Sequence, residues 1–250
     1  MAAGNLVSRL NSGPGYALLS AVIAAVFFLV AEPVPQDPAY HQFVDGRRLL
    51  GVPNLLNVLS NLAFLVVGSC GLARTGLARQ RLPWAVLFLG LILTAFGSGW
   101  YHLEPNNDTL FWDRLPMTIA FSGLAAAVVS EYFSVRAAEP FLVAMLIAGI
   151  GSVLFWSWSE ARGAGDLRPY AVVAILPLLI VPLVLATRGD RSAMTPYFWT
   201  MIVLYVPAKV FEHFDAAVFV GEIVSGHTLK HLFAAISAGV LIIGLGRTKS

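Results

Sequence analysis

The chain is built from apolar blocks of about 16 to 20 residues, close to the length that crosses a bilayer as an α-helix. This block length constrains the fold more than any other feature. Lipid offers the backbone no hydrogen bonds, so a spanning segment must satisfy its own peptide groups, as a helix does. Eight spanning segments are predicted, at residues 16–31, 54–73, 83–102, 114–133, 140–158, 170–187, 196–213 and 228–246.

Composition also favours a membrane fold. Hydrophobic residues make up 58% of the chain and the mean hydropathy is +0.76, whereas soluble domains are about 45–50% apolar. We therefore predict an all-α integral membrane protein. Its eight helices comprise an N-terminal transmembrane helix, which with its outer loop occupies residues 1–44, and seven transmembrane helices in residues 45–250. A signal peptide is the alternative for this first segment, although Leu29 is a poor match to the small residue that cleavage requires.

The charged residues and the single cysteine exclude several classes of function. The net charge is only +2 and no run of like charges forms a basic arm, so we expect no nucleic-acid partner. Cys70 lies alone inside an apolar block, which excludes an intrachain disulfide and a cluster of thiolate ligands. A metal ion in this chain must therefore be held by nitrogen and oxygen atoms.

Arginine and lysine are distributed unevenly between alternate loops. One set of loops, with both termini, contains Arg9, Arg74, Arg79, Arg81, Arg136, Arg188, Arg191, Arg247 and Lys249. The other set contains only Arg47, Arg48, Arg114, Arg162 and Arg168. Because cytoplasmic loops retain positive charge, we predict that both termini are cytoplasmic and that the second set is extracytoplasmic.

Polar side chains suited to a metal site fall at the extracytoplasmic ends of three segments. Ser98 and His102 are one helical turn apart in the third segment, and Asp113 is predicted to open the fourth. His227 and His231 have the same spacing in the last segment, which directs two imidazoles to one side of a helix. Three histidine nitrogens with an open fourth position are typical of catalytic zinc. The spacing therefore predicts three histidine ligands.

Each of these residues also has a structural interpretation. His102 could be a hydrogen-bonded residue at a helix end, and Ser98 could bond back to its own helix. Asp113 could be favoured by a helix N-terminus or could pair with Arg114. The metal site is preferred because three of the five histidines fall at one predicted depth, where ionisable residues are costly.

The other two histidines are given lesser roles. His213 is a reserve ligand, although its neighbours Lys209 and Glu212 are expected to pair with each other. His41 lies in a polar loop and is predicted to be solvated.

An amide stripe, formed by Asn54, Asn57 and Asn61, runs along one face of the second segment with Ser60 beside it. Amides often join membrane helices by hydrogen bonds, and this is the preferred interpretation. The functional alternative is a site for an ion or a lipid head group, completed by Asp45.

Together these motifs resemble the alkaline ceramidase family, which belongs to a membrane-hydrolase superfamily that also includes adiponectin-type receptors. The match consists of "SGWYH", an aspartate eleven residues later, "HTLKH", and "NVLSN" in the second segment, over roughly residues 45 to 246. The resemblance implies that residues 45–250 form a seven-transmembrane-helix core and that the first helix is an extra N-terminal transmembrane helix. It also implies that the core holds zinc by the three histidines, with Ser98 and Asp113 beside the metal. Eukaryotic members also bind calcium through an acidic N-terminal segment and a helix-start glutamate. Asn54 stands at that glutamate position here, so calcium is not carried over.

From the resemblance we expect a zinc-dependent amidase near the extracytoplasmic face that cleaves ceramide-like membrane lipids to a sphingoid base and a fatty acid. Zinc would activate water, Asp113 would carry its proton to the leaving amine, and Ser98 would hydrogen-bond the oxyanion. A zinc-stabilised lipid-binding or receptor-like protein without turnover is the alternative. A haem-carrying bundle is disfavoured, because haem takes axial ligands from opposite sides whereas His227 and His231 share one face.

Overall fold

A computed structural model of the chain describes residues 12–219, 221 and 223–247. The helices found in these residues are numbered in chain order. They are α1 (Gly13–Val30), α2 (Leu55–Ser60), α3 (Leu62–Arg74), α4 (Arg81–Leu103), α5 (Asn107–Tyr132), α6 (Val135–Glu160), α7 (Arg168–Arg188), α8 (Thr195–His213), α9 (Asp215–Val218) and α10 (Gly226–Arg247). Two short strands, β1 (Arg48–Leu49) and β2 (Val52–Pro53), form an antiparallel hairpin between α1 and α2.

Within the described ranges, seven helical stretches are long and apolar enough to cross a membrane. They are α1, the stretch Leu55–Leu77 that contains α2 and α3, and then α4, α5, α6, α7 and α10. The predicted all-α membrane protein is therefore confirmed. The segment predicted at 196–213 is also a helix, the 19-residue α8. It is not among those seven, because polar side chains such as Lys209 and Glu212 make it less apolar than the others.

The start of α5 differs from the prediction. The helix begins at Asn107, because Asn106 caps it: its side-chain oxygen accepts the Thr109 N–H at 3.0 Å, and Thr109 Oγ1 accepts the Asn106 N–H at 3.2 Å. The first turns of α5 are polar, so the hydrophobic pattern of the sequence did not indicate where this helix begins. Asp113 consequently lies at the end of the second turn instead of opening the helix, and residues 106–108 form the cap and the first turn.

Glycines allow α4 and α5 to pack closely as antiparallel neighbours. A Cβ atom on Gly90 would lie 2.5 Å from the Ala120 nitrogen. Nearer the outer end, a Cβ atom on Gly97 would collide with the carbonyl oxygen of Trp112. The two backbones therefore approach each other closely at Gly97, which precedes Ser98. At this point α4 is held against the part of α5 that carries Asp113.

The bundle contains two apolar clusters of unequal size. The larger includes the stacked rings of Trp84, Phe88 and Phe198, with ring centroids 5.9 to 6.3 Å apart. The smaller cluster is formed by Tyr101, Leu110, Val153 and Trp156. Since Tyr101 precedes His102 in the chain, this smaller cluster lies beside the histidines and supports the end of α4.

The extra helix α1 lies at the edge of the bundle. Its Tyr16 hydroxyl hydrogen-bonds Thr187 of α7, and the Tyr16 ring packs against Phe133 with centroids 5.4 Å apart. Most of its other side chains are exposed, including Leu29 at 86%. In a membrane this surface faces lipid, and the loop that follows α1 runs towards the histidines.

Candidate metal centre

Three histidines from two helices meet at one end of the bundle. His102 is the penultimate residue of α4, and His227 and His231 lie in the first two turns of α10. Their ligand nitrogens all lie within 4.8 Å of one another, and their ring centroids are 4.8 to 5.0 Å apart. His102 and His231 are only 1% and 4% exposed. The three residues predicted as ligands therefore form one group that could hold a metal ion.

Hydrogen bonds fix the position of α10 relative to its neighbours. The Ser225 hydroxyl accepts the Thr228 N–H at 3.1 Å, and the Asp215 carboxylate accepts the His227 N–H at 2.9 Å. Gly226 has no room for a side chain, since a Cβ atom would lie 2.8 Å from the Asp215 Cα atom. These contacts satisfy N–H groups that are free at the start of the helix. They also fix the positions of both histidines relative to the neighbouring helices.

A short chain of hydrogen bonds fixes the ring of His231. Its Nδ1 lies 2.7 Å from the Ser60 hydroxyl, which donates to the Asn57 carbonyl oxygen at 2.8 Å. Because that hydroxyl hydrogen is already used, Ser60 must accept a hydrogen from Nδ1. The Nε2 atom is then unprotonated in the neutral ring and is available as a ligand, as in metal sites whose histidines are oriented by a second group.

The amide stripe joins three helices. The Asn57 side-chain oxygen accepts the Thr228 hydroxyl at 2.7 Å, and the Asn54 side-chain nitrogen donates to the His102 carbonyl oxygen at 2.8 Å. The predicted interhelical role is therefore observed. Asp45, which would have completed a site for an ion, is instead bound by Arg47 through Nε at 2.7 Å.

His102 fits the role of a ligand better than that of a hydrogen-bonded helix end. In the described part of the chain, its Nδ1 atom is buried and has no hydrogen-bonding partner. Leaving such a nitrogen unsatisfied costs about 1–3 kcal/mol, and a metal ion bound to it would supply the missing partner. Three nitrogen donors suit zinc and leave one coordination position for water or substrate.

Ser98 and Asp113 meet between α4 and α5. Ser98 is 3% exposed, and it lies close to the Asp113 carboxyl of the neighbouring helix. The helix N-terminus acts only within about one turn, so it does not account for Asp113 in the second turn. The serine therefore lies beside the aspartate of the neighbouring helix, one turn before His102.

Pairing with Arg114 does not account for Asp113 either. The Arg114 guanidinium is directed elsewhere: Nη2 donates to the Gln36 side chain at 2.6 Å, and the group lies 4.3 Å from the ring centre of Trp156. Among the described residues Asp113 therefore forms no ion pair, although Lys230 and Arg114 both act on its carboxyl group electrostatically.

Phe43 is a contact that the sequence did not reveal. It belongs to the loop between α1 and α2, and its ring centroid lies 4.6 Å from that of His102 and 4.9 Å from that of His227. The loop therefore covers part of the histidine group. Contacts from a loop to a distant helix end leave no periodic pattern, so sequence analysis had no signal for it.

Lys230 is a second residue that was missed. It stands between the two histidines of "HTLKH", and its Nζ atom lies 2.7 Å from Glu212 Oε1. Glu212 also forms the expected pair with Lys209. The available signal was a lysine inside a spanning segment, which is costly and commonly functional.

The two remaining histidines lie outside the group. His41 is not merely solvated as predicted, because its Nδ1 lies 3.0 Å from the Tyr101 hydroxyl and its Nε2 lies 3.0 Å from Asn107 Oδ1. It anchors the loop to the ends of α4 and α5. His213 is exposed and packs on the ring of Phe214, with centroids 4.7 Å apart. The reserve ligand is therefore not part of the group that could hold a metal ion.

Comparison of the chain with protein-family models, with curated proteins and with solved structures gives no match. A functional conclusion for this chain therefore rests on the geometry of the site itself.

Proposed function

We propose that the protein is a zinc-dependent intramembrane hydrolase that cleaves the amide bond of ceramide-like lipids. The observation that carries this proposal is the convergence of three histidine ligands, with the Ser98–Asp113 pair nearby, inside a membrane-spanning bundle. Three nitrogen ligands match the open sites of catalytic zinc, whereas structural zinc sites are closed by four protein ligands.

The proposed reaction uses residues of this chain for proton transfer and charge stabilisation. Zinc in such a site makes water a nucleophile near neutral pH and polarises a carbonyl group. The water oxygen bonds to the amide carbon, and Asp113 takes the water's proton. Ser98 donates its hydroxyl hydrogen to the oxygen that becomes negative. The C–N bond then breaks, Asp113 returns the proton to the amine, and a carboxylic acid is released.

The surroundings of the site support a lipid substrate. Trp100 and Trp112 stack with centroids 6.1 Å apart and are about half exposed, as expected of side chains at a membrane–water interface. Below them, Leu93, Phe96, Leu115, Pro116 and Ile119 line an apolar groove of about 250 Å³. A lipid held here would place its head group at the depth of the histidines and its chains in hydrocarbon. With both termini cytoplasmic, that depth is the extracytoplasmic interface.

Metal analysis with single substitutions tests the metal centre. We expect the purified wild type to contain about one zinc ion per chain, and His102→Ala, His227→Ala and His231→Ala each to lose most of it. His213→Ala is the matched control and should retain zinc, because His213 is exposed and outside the group. Full zinc content in all three ligand variants would rule out the site.

The catalytic role of Asp113 requires a separate test. Asp113→Asn keeps the size of the side chain but cannot accept the proton, so it should retain zinc and lose at least about a hundredfold in turnover of a ceramide panel. Product is measured as released fatty acid. A variant with normal turnover would remove Asp113 from the mechanism.

A receptor-like lipid-binding protein is the second candidate, and the Phe43 contact favours it. A ring packed on two of the three histidines restricts access to them. Under this alternative, zinc and a stoichiometric lipid copurify, but no ceramide in the panel is cleaved.

A further inference from the structure

The loop between α1 and α2 is long and ordered, and no residue of it takes part in the proposed reaction. It begins at Ala31, where the extra N-terminal helix ends, and it reaches Asn54, where α2 starts. Connections longer than about 12–15 residues are usually either functional or disordered. Holding the backbone of one residue in a single conformation costs about 1–2 kcal/mol. Contacts along the loop offset this cost, so their positions show what the loop is held against.

This loop crosses the end of the bundle at which the histidines lie. His102 is the penultimate residue of α4 and His227 is the second residue of α10, so both rings stand at helix ends. His102 is nevertheless only 1% exposed. Phe43 of the loop packs on both rings, with centroids 4.6 and 4.9 Å away. Residues 31–47, which we call the cover, therefore lie between the histidine group and the water beyond the helix ends.

The middle of the cover is bound to α4 and α5 through His41. Its Nδ1 lies 3.0 Å from the Tyr101 hydroxyl, and its Nε2 lies 3.0 Å from Asn107 Oδ1. The neighbouring ring of Tyr40 stacks on Tyr101 with centroids 6.5 Å apart. Because His41 is two residues before Phe43, these contacts fix the part of the cover that carries the phenyl ring.

Arg114 of α5 is a second anchor for the cover. Its guanidinium carbon lies 4.3 Å from the ring centre of Trp156 and 5.0 Å from that of Tyr170, and Nη2 donates to the Gln36 side chain at 2.6 Å. The Gln36 N–H in turn donates to the Glu160 carboxylate at the end of α6. A buried guanidinium needs such partners to offset its lost hydration. Arg114 therefore holds Gln36 against α5 and α6.

Both ends of the cover are also fixed. Arg168 Nη1 donates to the Ala31 carbonyl oxygen at 2.7 Å, and the Leu167 N–H donates to the Val34 carbonyl oxygen at 2.9 Å. At the other end, Arg47 Nη2 donates to the Ile223 carbonyl oxygen, just before α10, at 3.2 Å. The cover is thus bound at its two ends and in its middle, so the loss of one hydrogen bond does not release it.

The chemistry of Phe43 indicates what the cover does at the histidines. A phenyl ring has no atom that can complete the coordination of a metal ion and no hydrogen-bond donor or acceptor for an imidazole. Its presence against two imidazoles therefore only removes water from beside them. Charges and dipoles interact more strongly where water is excluded. The same ring occupies the path by which a dissolved molecule would approach from the helix ends.

We propose that the cover closes the histidine site to water-soluble molecules, and that Phe43 is the specificity-determining residue that completes the closure. Ligands then reach the histidines from the membrane, which selects molecules dissolved in the bilayer over soluble amides with the same reactive group. The identity of the metal and of the reaction rests on the proposed function. The closure of the histidines does not.

Chemical modification of the metal-free protein tests the closure. The full-length protein in detergent is treated with diethyl pyrocarbonate, which modifies accessible imidazoles, and each histidine is followed by mass spectrometry. We expect His102 and His227 of the wild type to react at least about tenfold more slowly than the exposed His213, because a covered ring reacts only when the structure opens locally. Phe43→Ala should remove most of this difference with an unchanged thermal midpoint, which shows that the exposure is local.

Further variants assign the protection to the cover. Phe43→Leu keeps an apolar side chain and should retain part of the protection. Val44→Ala is the matched control, because Val44 is the next residue and its side chain is 41% exposed, and it should retain all of it. The double variant Gln36→Ala, His41→Ala removes two anchors and should expose both rings although Phe43 is present. Equal rates in the wild type and Phe43→Ala, or equal loss of protection in Val44→Ala, would overturn the proposal.

Extraction of zinc gives a second measurement, on the loaded protein. EDTA is charged and confined to water, whereas phenanthroline is apolar and enters the detergent micelle. We expect EDTA to remove zinc at least about tenfold faster from Phe43→Ala than from the wild type, because its access no longer requires local opening. Phenanthroline should act on both proteins at similar rates. An EDTA rate that does not change with Phe43→Ala would contradict the closure.

The two measurements distinguish this proposal from the proposed function. Protected histidines in a protein that cleaves no ceramide would support the cover and refute the hydrolase. Ceramide cleavage by a wild type whose His102 and His227 react as fast as His213 would refute the cover and leave the hydrolase standing.

Discussion

Ser60 shows how a small side chain can set which nitrogen of a histidine carries the proton. The i, i+4 spacing of His227 and His231 predicts that both rings leave one side of α10, but it does not say which nitrogen of each ring is protonated. For His231 that choice is made by Ser60, 171 residues away in the chain. Ser60 was noted only as a neighbour of the amide stripe, because nothing in the sequence relates it to α10.

Ser60→Ala should weaken zinc binding without unfolding the protein. The substitution removes the group that holds His231 Nδ1, and loss of such a partner usually costs about 10- to 100-fold in metal affinity. Ser237→Ala is the control, because Ser237 lies on α10 and its hydroxyl, in the described part of the chain, donates to the Ala234 carbonyl of its own helix. Zinc affinity is measured by competition with a chelator. Equal affinity for the two variants would contradict the role of Ser60.

The contact of α4 with α5 is what brings the serine and the aspartate of the site together. Ser98 and Asp113 are fixed by the close approach of Gly97 to the Trp112 carbonyl. The sequence places both residues near helix ends, but it gives no value for the separation of two helices. Because the α5 cap at Asn106 was missed, Asp113 was also placed at the wrong height on its helix.

Gly97→Ala should separate these helices. The added methyl group collides with backbone at Trp112, which cannot rotate away as a side chain can, so we expect a loss of about 1–3 kcal/mol of stability and reduced turnover. Gly99→Ala is the matched control on the same helix, since a Cβ atom there meets nothing within 4 Å. Thermal unfolding in detergent and lipid hydrolysis are measured for both. Equal midpoints and turnover would contradict the tight contact.

The stability of the protein should depend on pH through Asp45, which lies in the loop between α1 and α2. The Arg47 side chain hydrogen-bonds this carboxylate through Nε at 2.7 Å and Nη2 at 2.8 Å, and these bonds hold the pKa of Asp45 below its ordinary 3.8. A lowered carboxyl pKa gives stability that is present above the unfolded pKa and is lost as the pH falls through the folded pKa. Asp45→Asn should therefore unfold a few degrees below the wild type at pH 6, with the difference shrinking below about pH 3.8. A difference independent of pH would contradict this linkage.

At the scale of the whole molecule, the membrane fold could be predicted because apolar length and composition are local properties of the chain. The grouping of His102, His227 and His231 could be predicted because helical spacing and one common depth restrict where they lie. Phe43 and Lys230 could not be placed in the same way, since their positions depend on the path of a loop and on the packing of α8 against α10.

The orientation of the bundle can be tested at the two ends of α6. This helix has 26 residues, or about 39 Å at 1.5 Å per residue, so Arg136 near its start and Arg162 just beyond its end lie on opposite sides of a membrane. The uneven distribution of arginine predicts that Arg162 is extracytoplasmic. In a Cys70→Ser background, Arg162→Cys should react in intact cells with a maleimide that cannot cross membranes. Arg136→Cys should react only after the cells are permeabilised. The reverse pattern would place the histidine site on the cytoplasmic side, where its lipid substrates would have to come from the inner leaflet.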